Sequence, residues 1–373
     1  MNITILADKR KNESRVAVTP DIIKKLTMLK PGAILVESGL GKTLFTDSNF
    51  EKAGAKISDR ETCLKQANLV LTVHPLNSDD LSNLAPNTIT LSYMDPFMNK
   101  ETVKAYAKAN VTSLCIELVP RTTLAQKMDA LSSQASLAGY VAVLMAANES
   151  SSILPMMMTP SGTIRPSKVF IIGAGVAGLQ AIATAKRLGA RVEAFDTRPV
   201  VEEQVHSLGA KFVKVDLGDT GQTKDGYAKT LTDDQLTKQK DVMAKHCAKA
   251  DIVITTAQLF GRKAPIIVTK EMVQSMKPGS VIVDLAIETG GNVEGAELGK
   301  TVLVNGVSII GTGNFPGQVS KNASEMYASN LYYFIEHFWN KDLNTFTLDK
   351  NDAILKGALL TENGQIVNEQ VKG

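Results

Sequence analysis

Gly173, Gly175 and Gly178 stand in the spacing Gly-x-Gly-x-x-Gly, and Asp196 follows 23 residues after the first of them. Residue types in that pattern suit a dinucleotide. A pyrophosphate needs a tight turn at Gly173, a backbone it can approach without side-chain obstruction at Gly175, and a helix packed closely at Gly178. It then rests on free N–H groups at the helix N-terminus, and the acid accepts hydrogen bonds from ribose hydroxyls. The acid also selects the cofactor. A carboxylate about 4 Å from a 2′-phosphate would cost on the order of 4 kcal/mol at an effective dielectric of about 20, roughly a thousandfold against NADP. Arg198, two residues on, softens that repulsion but leaves the acid in place, so the reading is NAD(H).

Three elements must position these groups. Residues 169–172 form a short β-branched and aromatic run, as a buried parallel strand requires. Val176, Leu179, Ile182, Ala183 and Leu188 then recur at helical spacing up to a stop at Gly189, and a second strand over 191–195 ends in Asp196. Further strands are expected at 211–215, 251–256, 280–285, 301–304 and 308–311. The first 120 residues alternate in the same way, with strands at 3–7, 33–37, 69–73, 88–92 and 111–116 and helices at 21–29, 60–66 and 100–108. Such alternation means parallel sheets wound with helices.

The expected architecture is α/β: two Rossmann-like, doubly wound parallel-sheet domains joined by long helices, with a cleft between them. Residues 1–125 with 330–373 form the first domain, 126–157 a connecting helix and linker, and 158–322 the NAD(H)-binding domain. Residues 216–231 carry three glycines and no period, which is long for a connection in a compact α/β unit. We read them as an active-site lid in which Tyr227 closes over the nucleotide. Glu362-Asn363-Gly364 is a hairpin signal near the end of the chain.

Composition excludes several classes. With 41 basic and 38 acidic residues, a net charge of +3 and no long basic tract, the chain lacks the footprint of a nucleic-acid binder. Cys63, Cys115 and Cys247 are odd in number and far apart, which suits a reducing compartment. The four histidines show no metal spacing, so no metal site is expected. The longest uncharged stretch, 130–148, is interrupted by Ser132, Ser133, Gln134, Ser136, Gly139 and Tyr140, so the chain is not expected to span a membrane.

Glu13-Ser-Arg-Val-Ala-Val-Thr-Pro20, Val36-Glu-Ser-Gly39, Ala53-Gly-Ala55, Met276-Lys-Pro-Gly-Ser-Val281 and Gly290-Gly-Asn292, with the glycine-rich stretch, resemble the superfamily shared by alanine dehydrogenase and the proton-translocating NAD(P) transhydrogenases. Alanine dehydrogenase carries a lysine in a Val-Lys-Glu-Pro motif and a histidine in a Tyr-Leu-His-Leu motif for proton transfer. Here Val73-His74-Pro75-Leu76 and Ser92-Tyr93-Met94-Asp95 stand instead. An amino-acid dehydrogenase without those groups would lose about two to four orders of magnitude in rate. By contrast, Arg121-Thr-Thr-Leu-Ala-Gln126-Lys-Met-Asp129-Ala-Leu-Ser132-Ser133-Gln134 closely resembles the signature of domain I, the NAD(H)-binding component of transhydrogenase.

That resemblance implies the following roles. Gln126, Arg121, Asp129 and Ser132 act at the transferring nicotinamide. Gly173, Ala174, Gly175, Val176, Gly178, Asp196, Thr197, Arg198, Tyr227, Thr256, Ala257, Gln258, Ser133 and Gln134 bind the cofactor. It also implies hydride transfer of the Si-specific, proton-translocating type, from NAD(H) on this chain to NADP(H) on domain III of a β subunit. Further implied are a membrane-spanning domain II shared by α2 and β, a homodimer, and a place on the cytoplasmic face of a bacterial inner membrane. The end at Gly373 after a polar tail fits a separate first α subunit. The alternatives are an alanine-dehydrogenase-like amino-acid dehydrogenase and a nucleotide-binding module without catalysis.

Overall fold

The structure is a computed structural model that describes residues 1–216 and 232–372. The chain divides into two compact units, Met1–Gln134 with Gly317–Gly373, and Ala135–Pro316.

In the first unit, β1 (Asn2–Ile5), β2 (Ala33–Glu37), β3 (Lys56–Ser58), β4 (Leu69–Leu71), β5 (Ile89–Ser92) and β6 (Thr112–Cys115) lie parallel in the order β6-β5-β4-β1-β2-β3. Most are short, continuously apolar runs, as strands covered on both faces must be. The short helix Asp47–Lys52 and strand β3 go beyond the sequence reading; at 6 and 3 residues, neither is long enough to complete a legible period.

The second unit opens with a hairpin, β7 (Met157–Thr159) and β8 (Gly162–Ile164). Its main sheet comprises β9 (Lys168–Ile172), β10 (Arg191–Phe195), β11 (Lys211–Phe212), β12 (Ile252–Thr255), β13 (Val281–Asp284), β14 (Lys300–Val304) and β15 (Val307–Gly311). The order is β11-β10-β9-β12-β13-β15-β14, parallel except for β14. β9 begins the unit's winding, with β10 on one side and β12 on the other. Register pairs Ile172 with both Phe195 and Thr255, so these three strands end level. Gly173, Asp196 and Thr256 therefore emerge on one carboxyl edge, at the switch point where such sheets take ligands.

The chain returns to the first unit through the helix Ser320–Phe338, the small pair β16 (Trp339–Asn340) and β17 (Thr345–Phe346), and the hairpin β18 (Leu359–Glu362) and β19 (Gln365–Ile366). The hairpin turns on Asn363 (φ 49°) and Gly364 (φ 75°), both left-handed as the sequence signal requires, and β18 adds antiparallel to β6.

The helix Ala130–Glu149 is, among the described residues, the one helix long and apolar enough to cross a membrane by length and composition. Val141, Ala142, Val143 and Ala146 on it are buried, so part of its apolar surface is spent on the protein core. Gly139 lies at its middle, where an exposed glycine would cost about 1 kcal/mol against alanine. A Cβ there would overlap the carbonyl of Ala177, so the glycine lets two helix backbones touch.

A buried ion cluster closes the first unit's carboxyl edge. Glu13 accepts from Arg15 Nε (2.8 Å) and Nη2 (2.6 Å) and lies 2.9 Å from His74 Nε2. Burial is the largest influence on Glu13 and would raise its pKa, yet the hydrogen bonds and charges of Arg15 and His74 hold it well below the usual carboxylate range. A depressed folded-state pKa stabilises above the unfolded value, about 4.3, and that stability is lost as pH falls through the folded pKa. Glu13→Gln is expected to cost about 3 kcal/mol at neutral pH by leaving Arg15 without its charged partner. It should also flatten the acid limb of the stability curve below about pH 4.3. Urea denaturation at a series of pH values measures both, and an acid limb unchanged from the wild type would refute the assignment.

Candidate active site

The phosphate loop is built by three glycines with three different duties. Gly173 has φ 99°, and a Cβ on it would overlap Thr256 Oγ1. A Cβ on Gly178 would overlap the Gly173 carbonyl oxygen, because the helix Val176–Arg187 lies directly on the end of β9. Gly175 differs. It takes φ −79°, open to any residue, and a Cβ built there meets only Arg198 Nη2 at 3.9 Å. The fold requires Gly173 and Gly178, whereas the space over Gly175 is kept for something other than protein.

The helix buries Gly178, Ala181, Ile182, Thr184 and Ala185, a small-residue face, and leaves Val176 and Leu188 exposed. The expected apolar stripe through Val176, Leu179, Ala183 and Leu188 is thus displaced, because contact with β9 at Gly178 leaves room only for small side chains. Ala174 is buried and its N–H donates to Asp196 Oδ2 at 2.7 Å. Thr197 is half-buried beside it.

Asp196 is not a free acceptor. Its Oδ1 accepts from the N–H of Arg198 (2.9 Å) and from Arg198 Nε (2.9 Å), and its Oδ2 accepts from Arg198 Nη2 (2.8 Å) in addition to Ala174. The repulsion reckoned for a lone carboxylate therefore does not apply to this arrangement, since a guanidinium neutralises the charge in a bidentate pair.

Thr256 Oγ1 donates to Gly173 O at 3.0 Å, and Gln258 Nε2 to Leu285 O at 3.1 Å. Ala257 is held at both its N–H and its C=O by the side chain of Asn292, which also donates to Pro265 O. Asn292 is fixed in turn by Asp284, whose carboxylate accepts from the N–H groups of Ala286, Asn292 and Val293. Burial pushes the Asp284 carboxyl up while those backbone donors pull it down, with burial prevailing. Tyr227 and the rest of 217–231 lie outside the described residues.

The Arg121–Gln134 stretch lies in the first unit. Gln126 starts a 3-10 turn, Gln126–Met128, and is exposed, as is Arg121. Asp129 accepts from Ser132 N–H (2.8 Å) and Ser132 Oγ (2.6 Å) and lies 3.9 Å from Arg121 Nε, so these three form one chain of contacts. Ser133 Oγ donates to Asn330 Oδ1, and Asn330 Nδ2 donates to Lys127 O, bracing the turn that carries Gln126. Gln134, read from the sequence as a cofactor ligand, is buried with both ends of its amide engaged. Oε1 accepts from Arg15 Nη1 at 2.9 Å, and Nε2 donates to Ala323 O at 3.0 Å. Here it ties the helix Ser320–Phe338 to the ion cluster.

Residues 4–138 match the family described as alanine dehydrogenase/PNT, N-terminal domain, and residues 142–369 its C-terminal domain. The first of the separate alpha chains of NAD(P) transhydrogenase in Rhodospirillum rubrum is 42% identical over 382 residues, covering 100% of this chain and 99% of the relative. The crystal structure of transhydrogenase from Sinorhizobium meliloti is similar at TM-score 0.86 and 43% identity, covering 99% of this chain and 100% of that one. The chain belongs to the NAD(P) transhydrogenase alpha-subunit family. Alanine dehydrogenase 1 of Staphylococcus aureus is a more distant relative, 26% identical over 99% of this chain and 95% of its own length.

For a transhydrogenase alpha-subunit relative, sequence reasoning missed Asn292, Asp284 and Asn330 as positioning residues. Asn292 stood in the Gly290-Gly-Asn292 motif without a role, and its signal was a position beside two consecutive glycines, both of which take left-handed φ. The unequal duties of the glycines can be measured. Gly175→Ala is expected to change stability by less than about 1 kcal/mol, whereas Gly178→Ala should cost about 3 kcal/mol through overpacking. Dinucleotide affinity of the stable Gly175→Ala protein should fall about tenfold or more, since a methyl group then occupies the pyrophosphate's approach. Thermal melts and fluorescence titration with NADH read both effects; unchanged NADH affinity in Gly175→Ala would refute the reading.

Proposed function

We propose that this chain is the NAD(H)-binding subunit of a proton-translocating transhydrogenase. It passes hydride directly between NAD(H) and the NADP(H) held by domain III of a β subunit, coupled to proton passage through a membrane-spanning domain II. The single observation that carries this is the phosphate loop, built with clear space over Gly175, in a chain matched along its whole length by the Rhodospirillum rubrum transhydrogenase alpha chain. Bound NAD(H) supplies the hydride at its nicotinamide ring. Gly173, Gly175, Gly178 and Ala174 hold the pyrophosphate, with Val176 at the helix entry; Asp196, Thr197 and Arg198 hold the adenosine ribose; Thr256, Ala257 and Gln258 line the adjoining edge. By resemblance to the family, Arg121, Asp129, Ser132 and Ser133 orient the carboxamide and ribose of the nicotinamide half, and Gln126 meets the incoming ring of the partner.

The chemistry agrees with what the protein lacks and what it spends. Hydride transfer between two nicotinamides needs no proton donor, only two rings held close with water excluded. His74, at the position of the alanine dehydrogenase lysine, is committed to Glu13. Gln126 is exposed on a braced turn and makes no hydrogen bond through its amide among the described residues, as a group reserved for a partner would.

The homodimer belongs to the same proposal. Met156, Met157, Met158 and Ile164 on and beside the β7–β8 hairpin, with Tyr140 and Leu144 on the long helix, are large apolar side chains left in solvent. A second copy of this chain would cover them. Light scattering should give twice the chain mass of 40.0 kDa, and Met158→Glu should shift it toward the monomer. A monomeric wild type would remove the homodimer from the reading. The complex places the chain on the cytoplasmic face of the bacterial inner membrane through its partners.

The deciding experiment adds a soluble NADP(H)-binding domain III from a relative and follows hydride exchange with a nicotinamide analogue. Exchange is expected with NADH and domain III together, and none from NADH with pyruvate and ammonium. The reverse result would establish an amino-acid dehydrogenase, and nucleotide binding without either turnover a binding module. Gln126→Asn, one methylene shorter, should slow exchange about tenfold or more, roughly 1.4 kcal/mol of barrier per tenfold. NADH affinity should stay unchanged, because a group acting near the transition state does not strengthen ground-state binding. Loss of NADH affinity with a normal single-turnover rate would make Gln126 an ordinary cofactor ligand.

A further inference from the structure

Asp196 and Arg198 pose a problem for the nucleotide-binding reading, because the acid meant for a ribose is already saturated. Its side chain is 6% exposed and that of Arg198 14%. Four donors fill its two oxygens: the backbone N–H groups of Ala174 and Arg198, and the guanidinium Nε and Nη2 of Arg198. A carboxylate presents about four lone-pair sites, so a ribose hydroxyl finds none open.

The four donors are unequal. The two backbone donors are fixed by the phosphate turn and by the chain leaving β10, and they hold the carboxylate in place whatever the side chain of Arg198 does. The two guanidinium donors sit on rotatable bonds. They are also matched in number and spacing by the two hydroxyls of a vicinal diol, so a ribose can replace them one for one and leave Asp196 fully paired. A displaced guanidinium needs an anion in turn. It already borders the space over Gly175, where Nη2 stands 3.9 Å from a Cβ built on that residue and nothing else comes within 4 Å. A phosphate resting on the N-terminus of Val176–Arg187 lies in that space.

We infer that Arg198 is a diphosphate ligand parked on Asp196, and that on binding the ribose diol and the guanidinium exchange places on the carboxylate. This rests on the NAD(H) reading and goes beyond it by making cofactor selection conditional. With Arg198 on Asp196 the acid's charge is neutralised and a 2′-phosphate meets little repulsion. With Arg198 drawn to the diphosphate the carboxylate regains its charge where the 2′ substituent lies. Rejection of a 2′-phosphate thus depends on the diphosphate of the same ligand.

The test separates the two halves of the ligand. Arg198→Met, titrated calorimetrically with adenosine, ADP and NADH, is expected to lose about tenfold or more in affinity for ADP and NADH. Affinity for adenosine, which has the diol and no phosphate, should stay equal or rise, because no guanidinium must be displaced. Arg198→Lys should restore part of the ADP affinity, as a cation without the bidentate fork. Equal losses for adenosine and NADH would overturn the exchange and leave Arg198 as a brace for Asp196, and so would unchanged ADP affinity. If Arg198→Met does not fold, the same three ligands on Arg198→Lys decide, with a uniform loss again overturning the exchange. A wild type that binds neither ADP nor NADH would instead sink the NAD(H) reading, an outcome distinct from failure of the exchange alone.

Discussion

The second unit depends on one close approach, the backbone of Gly178 against the carbonyl oxygen of Gly173. Because no Cβ stands between them, the helix Val176–Arg187 lies directly on the end of β9 and aims its free N–H groups at the space over Gly175. Thr256 Oγ1 donates to the same carbonyl, so strand, helix and the chain leaving β12 meet at a single oxygen atom. A second glycine, Gly139, lets the long helix Ala130–Glu149 press its backbone on the first turn of that helix. The loop is thus held by backbone packing on two sides, which leaves its front face free of side chains.

Around that loop and in the first unit alike, the acids are engaged by the protein itself. Asp284 is consumed by three backbone N–H groups, Asp196 by Arg198 and two backbone donors, Asp129 by Ser132, and Glu13 by Arg15 and His74. A site that moves protons keeps a poised, accessible acid or base. A site that moves hydride between nicotinamides needs rigid donors and acceptors, and paired charges supply rigidity. This separates the chain from its alanine dehydrogenase relatives in physical terms, independently of percent identity.

The positioning residues share one trait. Asn292, Asn330 and Gln134 are amides that present a donor and an acceptor in one buried side chain, and each ties two segments distant in sequence. A neutral amide does this without the desolvation cost of a charge. It is also what makes such residues hard to recognise beforehand, since their partners are mostly backbone groups that any residue could offer.

The sequence by itself determined the parallel strands, the phosphate helix with its stop at Gly189, the Asn363-Gly364 turn and the location of the dinucleotide fingerprint. Each of these is local: a strand buried on both faces must be apolar throughout, a left-handed turn calls for Asn or Gly, and a glycine spacing is visible within a few residues. The tertiary structure alone decided which glycine serves the fold and which serves a ligand. Gly173, Gly175 and Gly178 are the same residue, and only their neighbours from β12 and from Arg198 tell them apart. It likewise decided that Asp196 is already occupied and that Gln134 is a tie, because hydrogen bonding saturates, and whether an acceptor is spent depends on donors that chain order does not bring into view.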